Sequence, residues 1–159
     1  MNSIKIQGEL KLKTSILFAL NDSSSSRAAV DFLTNIPLCP EQVSITLLHV
    51  FRKPSSVEEL MGEKYMQQLS DRYMQALENT KNKLIEKGYP PNNIQLKLIS
   101  DPYPTVADGV IDQFSKGNYN IVIVGRKRMS KAEEFVLGDP SIKLVRALEG
   151  VAVMVIKSK

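Results

Sequence analysis

Short apolar runs alternate with longer segments of helical periodicity along this chain. Five runs are typical of β-strands: TSILFAL, VSITLLHV, IQLKLI, NIVIV and VAVMVI, at 14–20, 43–50, 94–99, 120–124 and 151–156. Near-continuous apolarity in the first, fourth and fifth indicates burial on both faces, as in a parallel sheet covered by helices. The third run alternates strictly between apolar and polar residues, which favours an edge position in the sheet.

Four helices are predicted between these strands. The first follows the polar run NDSSSS, whose hydroxyls and carboxylate are good N-caps. The second covers 56–87, with its apolar residues mostly three or four apart, and the third covers 104–115. The fourth begins at Asp139-Pro140 and ends before Gly150. At the start of the second helix, the residues expected to face inward are Val57, Leu60 and Met61. In the fourth helix they are Ile142, Leu144, Val145 and Leu148.

The resulting order of elements predicts the fold. Right-handed crossovers fold a strict β/α alternation into an open, five-stranded parallel sheet, doubly wound with helices on both faces, a Rossmann-like α/β architecture. A chain of 159 residues suits one such domain. We therefore expect an N-terminal extension at 1–13 and a single α/β domain at 14–159.

Composition narrows the function classes. The net charge is +4 and the pI about 9.1, but 17 acidic residues are interspersed among 21 basic ones and the aromatic residues are few. A nucleic-acid-binding role is therefore not expected. The apolar runs are far too short to span a bilayer, so no membrane insertion is expected. The first residues lack the apolar block of a secretory signal, and we expect a cytoplasmic protein.

Enzymatic chemistry finds little support in the sequence. Cys39 is the only cysteine and His49 the only histidine, and His49 lies inside an apolar strand, which favours a packed side chain over a catalytic one. No paired carboxylates, nucleophile with a base or metal-ligand spacing is present. Neither GxxxxGK[ST] nor, after the first strand, GxGxxG occurs. The expectation is a protein that is not an enzyme and holds no metal.

Polar segments converge where a ligand would bind in such a sheet, at the carboxyl ends of its strands. They are NDSSSS after the first strand, HVF at 49–51 after the second, and GRKRMSKAEEFVLGDP after the fourth. Together with ILFALNDSSSSRAA, ITLLHV, NIVIVG and VAVMVIK, these segments give the chain a resemblance to the universal stress proteins. The resemblance covers 14–157 and implies the same α/β fold.

The resemblance also implies an adenine-nucleotide site with several altered positions. ATP-binding members carry G-x-x-G-(nine residues)-G-(Ser or Thr) after the fourth strand. Gly125 and Gly138 match the first and third glycines, whereas Arg128 stands at the second and Asp139 at the hydroxyl position. The aspartate that ends the family's first strand corresponds to Asn21. Further tentative cofactor-binding positions are Asp22, which stands where the family usually has glycine, and Val50 in the second strand.

The altered positions have opposite implications for ATP, the one candidate cofactor. Arg128 fills space that a glycine leaves to a phosphate, yet its guanidinium is also a phosphate ligand. Asp139 places a carboxylate at the helix start where a phosphate would sit, so the free N–H groups are satisfied internally and an incoming anion meets a like charge. A plain helix start and a phosphate site remain alternatives there.

Several functions stay open at this point. The first hypothesis is a non-enzymatic, dimeric regulatory module of the universal stress type with weak or absent ATP binding. Its alternatives are an adenine-nucleotide binder that uses Arg128 in place of the loop glycine, and an accessory regulatory domain of a transport system. The basic group Arg126, Lys127 and Arg128 is either a solvated surface or a site for an anionic ligand or an acidic protein partner.

The resemblance suggests how the chain dimerises. In the family the last strand commonly pairs with its counterpart across a two-fold axis. The corresponding strand here begins at Val151 and ends at Ile156, and no later helix covers its edge. We expect a homodimer through this strand.

Overall fold

A parallel β-sheet of five strands forms the centre of the molecule. The computed structural model describes residues 13–21, 23–52 and 56–158, so the predicted N-terminal extension at 1–13 lies outside it except for Lys13. The strands are β1 (Thr14–Ala19), β2 (Val43–Arg52), β3 (Ile94–Tyr103), β4 (Ile121–Arg126) and β5 (Ala152–Lys157). Their order in the sheet is β3-β2-β1-β4-β5, with all pairs parallel. The predicted doubly wound architecture and the edge position of the third strand are confirmed.

The described residues form six α-helices. They are α1 (Ser24–Asn35), α2 (Ser56–Leu60), α3 (Gly62–Glu86), α4 (Val106–Ser115), α5 (Lys131–Leu137) and α6 (Pro140–Ala147). Helices α1 and α3 pack on one face of the sheet, and α4 and α6 pack on the other.

Alternation along β1 shows how the sequence builds both hydrophobic layers. Ile16 and Phe18 point into the layer beneath α1 and α3, while Leu17 points into the layer beneath α4 and α6. All three side chains are fully buried. A central parallel strand therefore needs apolar residues at consecutive positions, which explains the continuous apolar run in the sequence.

The predicted second helix is two helices. It breaks at Met61, and Gly62 follows with a φ of +79°, a conformation that favours glycine. The prediction that Val57, Leu60 and Met61 face inward is wrong, because all three side chains are exposed. The same holds in α6, where Ile142 and Val145 are exposed; Leu144 and Leu148 are buried as predicted.

Sequence patterns also missed a helix and the ends of two strands. Helix α5 lies within the basic segment after β4, where the sequence analysis predicted no helix. Strands β2 and β3 run on together beyond their apolar cores and pair again at Arg52 and Tyr103 after a shift in register. The helices of the described residues include none that is long and apolar enough to cross a membrane.

Candidate functional site

A cavity of about 140 Å³ opens at the carboxyl ends of the central strands. The residues around it come from β1, β2, β4, α1, α4 and α6, and include Asn21, Ser26, Val50, Gly125 and Pro140. Three of the predicted site residues therefore converge here, as the winding of the sheet requires. Pro140 is the first residue of α6, so a group that extends from the cavity toward that helix meets its N-terminus.

Asn21, which follows β1, is hydrogen-bonded to the start of α1. Its Oδ1 accepts from the Ser23 backbone N–H at 3.1 Å, from the Ser23 hydroxyl and from the Ser26 hydroxyl at 2.8 Å. Because a backbone N–H can only donate, the oxygen of the amide must face α1. Within the described part of the chain, the Asn21 amide nitrogen has no acceptor, so this residue offers donors to the cavity where an aspartate would offer acceptors.

Val50 and its neighbours close the cavity from the side of α4. Val50 is 4% exposed, and a β-carbon on Gly109 of α4 would lie 2.3 Å from its side chain, which shows how closely α4 approaches β2. Val50 is thus a packed wall residue. Asp22, also predicted for this site, lies outside the described residues.

Gly125 makes room for protein backbone. A β-carbon placed on it would lie 2.5 Å from the carbonyl carbon and oxygen of Ser25 and 2.8 Å from the Ser26 nitrogen. Such distances are far inside van der Waals contact, so the absence of a side chain lets the first turn of α1 sit against β4. Gly125 lines the cavity, but a β-carbon on it would fall in space that the backbone of α1 occupies.

Arg126, the residue after Gly125, is held between two carboxylates. Its Nη2 lies 2.6 Å from Asp139 Oδ2 and also makes an ion pair with Glu134 of α5. All three side chains are at least partly buried, and that of Asp139 is only 3% exposed. This Arg126–Glu134–Asp139 triad joins the end of β4 to both α5 and α6, so Arg126 does not present an open cation to a ligand.

Asp139 is the N-cap of α6, as the sequence predicts. Its Oδ1 accepts from the Ser141 backbone N–H at 2.9 Å and from the Ser141 hydroxyl at 2.6 Å. Burial is the largest influence on the pKa of Asp139 and raises it, but the Ser141 hydrogen bonds and the charge of Arg126 together hold that pKa below its ordinary value. The carboxylate is therefore ionised at neutral pH, at the helix end that attracts anions.

Gly138 and Arg128 lie away from the cavity. Gly138 ends α5 with φ 71° and ψ 167°, and a β-carbon there would meet nothing within 4 Å. Arg128 is exposed and, in the described part of the chain, is not among the residues around the crevice cavity. With Arg126 and Lys127 it borders a separate surface cavity of about 360 Å³ near the end of β5.

Comparison with known proteins identifies the family. The family model described as the universal stress protein family matches residues 14–157. The chain belongs to the universal stress protein family. This confirms the resemblance found in the sequence.

Solved structures show the same fold as this universal stress protein at low sequence identity. A family member from Arabidopsis thaliana with AMP bound is 20% identical, with a TM-score of 0.62 and 92% of each chain covered. A universal stress protein in complex with cAMP is 12% identical, with a TM-score of 0.62 and coverage of 90% of this chain and 95% of that one. An Archaeoglobus fulgidus universal stress protein in complex with dAMP is 11% identical, with a TM-score of 0.58 and coverage of 92% of this chain and 99% of that one. A search of curated proteins finds no match.

The single histidine of this universal stress protein is packed. His49 is 7% exposed, its Nδ1 lies 2.9 Å from the carbonyl oxygen of Leu20, and its ring stacks on Tyr73 at a centroid distance of 3.8 Å. The described residues include no group of three or more His, Cys, Asp or Glu side chains that could hold a metal ion.

Glu134 is the site residue that sequence reasoning missed. It lies on α5, a helix of only seven residues, which is too short for a helical spacing of apolar residues to be recognised. A signal was present, however: Ser130 and Glu133 form a capping box in which each side chain bonds to the other's backbone N–H. The sequence S-x-x-E therefore marks the start of the helix that carries Glu134.

Proposed function

We propose that this universal stress protein is a non-enzymatic regulatory module that binds ATP weakly or not at all. The observation that carries the proposal is the N-cap of α6, where a carboxylate of the protein itself stands at the place a nucleotide phosphate would take. Asp139 uses the Ser141 N–H that would otherwise be open to a ligand, and it pairs with Arg126.

The phosphate end of an ATP molecule does not fit these residues. An incoming phosphate would meet the negative charge of Asp139 and would lack both the Ser141 donor and the open face of Arg126. We expect a cost of about 1 to 3 kcal/mol relative to a site with a hydroxyl at this position, which is roughly a 5- to 150-fold loss of affinity.

The test is calorimetric titration with ATP and Mg²⁺ for the wild type and for Asp139→Ser. The serine keeps an N-cap, removes the charge and releases Arg126, so we expect ATP to bind at least fivefold more tightly to the variant. Asp112→Ser is the matched control, because it changes the net charge equally on α4, at a residue that does not line the cavity. Micromolar ATP binding by the wild type, unchanged in Asp139→Ser, would contradict the proposal.

Binding of an adenine mononucleotide is the second candidate function. It is supported by the cavity beside Gly125, by the unused amide donors of Asn21, and by relatives of this fold whose structures contain AMP, cAMP or dAMP. The sequence-based version of this hypothesis uses Arg128 as a phosphate ligand. Titration of wild type and Arg128→Ala with AMP tests it, and equal affinities would rule Arg128 out.

The surface formed by Lys127 and Arg128 is the candidate for an acidic partner. Both side chains are exposed, whereas Arg126 beside them is occupied by Glu134 and Asp139. An acidic protein surface or a small anion therefore has two open cations here. We also propose the cytoplasmic location expected from the sequence. The alternative of an accessory domain of a transport system has no structural observation in its favour.

Dimerisation through β5 completes the proposal. Strand β5 ends the sheet, and Val153 to Ile156 are half-buried although one edge of the strand is unpaired within the described part of the chain. An apolar edge strand of this kind favours pairing with a second copy.

A further inference from the structure

A furrow separates α1 from α3 on their common face of the sheet. Helix α1 packs mainly over β4 and β5, whereas α3 packs over β2 and β3. The space left between them holds a cavity of about 230 Å³. Its walls come from α1 and α3, and it reaches down to the residues that follow β1.

The floor of the furrow is apolar and ends at an aromatic wall. Leu20, Val30 and Leu77 lie in the floor and are 9%, 4% and 1% exposed. The wall is formed by the stacked rings of His49 and Tyr73. A flat apolar group fits such a surface, because it removes water from the floor and makes ring contacts at the wall.

The rim of the furrow is basic. Arg27 of α1 is exposed and makes no ion pair within the described part of the chain, whereas Lys83 of α3 is paired with Asp31 at 2.5 Å. Arg27 is therefore the open cation beside the apolar floor. A guanidinium recognises a carboxylate or phosphate through two parallel hydrogen bonds, so it adds a geometric preference to the charge.

The furrow is distinct from the crevice described above. Its apolar floor belongs to the layer under α1 and α3, whereas the crevice cavity is bordered by Leu48, Val110 and Leu144 from the layer under α4 and α6. The two cavities meet only around the end of β1 and the start of α1, at Leu20, Asn21 and Ser26. Asp139 and Arg126 line neither the furrow nor its rim.

We propose that this furrow is a second binding site, for a small aromatic anion. The planar body of the ligand lies on Val30 and Leu77 against the Tyr73 ring, and its carboxylate or phosphate pairs with Arg27. The site does not depend on whether a nucleotide binds in the crevice. It gives the protein a way to sense an aromatic acid through the relative position of α1 and α3.

The probe for the test is 2-naphthoate, a planar aromatic monoanion. Titration followed by ¹H–¹⁵N correlation spectra of the wild type is expected to move the amide signals of residues 27–30 and 76–80. The proposal would be overturned if the shifts were confined to Gly125 and its neighbours or to the exposed apolar residues of α5 and α6. It would also be overturned if no signal moved at millimolar probe.

Two variants separate the contributions of charge and shape. Arg27→Gln is expected to weaken 2-naphthoate binding at least fivefold, while the neutral analogue 2-naphthamide binds wild type and Arg27→Gln equally. Arg146→Gln is the matched control, because it removes one exposed positive charge from α6, outside the furrow, and leaves affinity unchanged.

Ala76→Phe tests the shape of the furrow. Ala76 lines the furrow and is only partly buried, so a phenyl ring there fills the space without entering the core. We expect loss of the probe shifts at a melting temperature near that of the wild type. Equal affinities of Arg27→Gln and Arg146→Gln, or full binding by folded Ala76→Phe, would overturn the proposal.

Discussion

Replacing Gly125 by alanine distinguishes a packing glycine from a ligand-facing one. The added β-carbon would lie 2.5 Å from the Ser25 carbonyl group, about 1 Å closer than ordinary contact, and both clashing partners are backbone atoms. Neither can rotate away as a side chain does. The first turn of α1 must therefore retreat from β4, and Asn21, whose oxygen is bonded to Ser23 and Ser26, must follow it.

The size of the effect follows from that displacement. Overpacking of a well-filled interior costs about 1 to 3 kcal/mol, and in a domain of this size each kcal/mol lowers the melting temperature by roughly 2 to 4 °C. We expect Gly125→Ala to melt about 3 to 10 °C below the wild type in a thermal scan followed by circular dichroism. Its unfolding free energy from urea titration should also fall by about 1 to 3 kcal/mol.

Gly117→Ala is the control for this experiment. Gly117 is exposed, and the three atoms nearest to a β-carbon there all belong to the ring of Tyr119, a side chain that can rotate where backbone cannot. Its melting temperature should stay within about 2 °C of the wild type, since surface changes cost less than about 0.5 kcal/mol. If Gly125→Ala melted like the control but lost nucleotide affinity, the glycine would serve a ligand and the packing argument would be refuted.

Three further predictions concern the acidic cap, the capping box of α4 and the oligomeric state. Because the pKa of Asp139 is lower in the folded than in the unfolded chain, its carboxylate stabilises the fold at neutral pH, and this stabilisation is lost from about pH 5 downward. Urea titrations at about pH 7, 4 and 3 should therefore show that the unfolding free energy of Asp139→Asn depends less on pH than that of the wild type. An identical pH dependence of the two proteins would contradict this. Thr105→Ala removes the hydroxyl that accepts from the Asp108 N–H and should lower the unfolding free energy by about 1 kcal/mol, whereas Thr80→Ala, in the interior of α3 where the hydroxyl caps no helix end, should cost less. Light scattering at micromolar concentration should give twice the monomer mass of 17.8 kDa, and a mass equal to the monomer's would exclude the proposed dimer.

The fold was predictable because parallel strands leave a strong trace in sequence. Central strands are buried on both faces and read as continuous apolar runs, and β3 was assigned to the edge because its polar residues alternate. The break between α2 and α3 left no such trace, since the apolar spacing continues through Met61 and Gly62 and only the positive φ of the glycine interrupts the helix. Helix α5 was missed because it has only seven residues, too few for a helical spacing of apolar residues to be recognised.

The site was predictable only in part, for a related reason. Local chemistry identified Asp139 as an N-cap, because an N-cap depends on neighbours in sequence such as Pro140 and Ser141. The pairing of Arg126 with Glu134 and Asp139 depends on how α5 and α6 return to the end of β4, and residue spacing alone contains no such information. Sequence comparison likewise could not show that the space above Gly125 is filled by α1.

The Arg126–Glu134–Asp139 triad gives the loop after β4 its own counter-ions. Many ligand-binding loops become ordered when the ligand arrives, and their thermal stability then rises with ligand concentration. Here the charge of Arg126 is compensated as soon as the chain folds, so we expect the end of β4 to keep the same shape with and without ATP. If ATP binds as weakly as we propose, we expect the regulation of this protein to act through its amount or its partners.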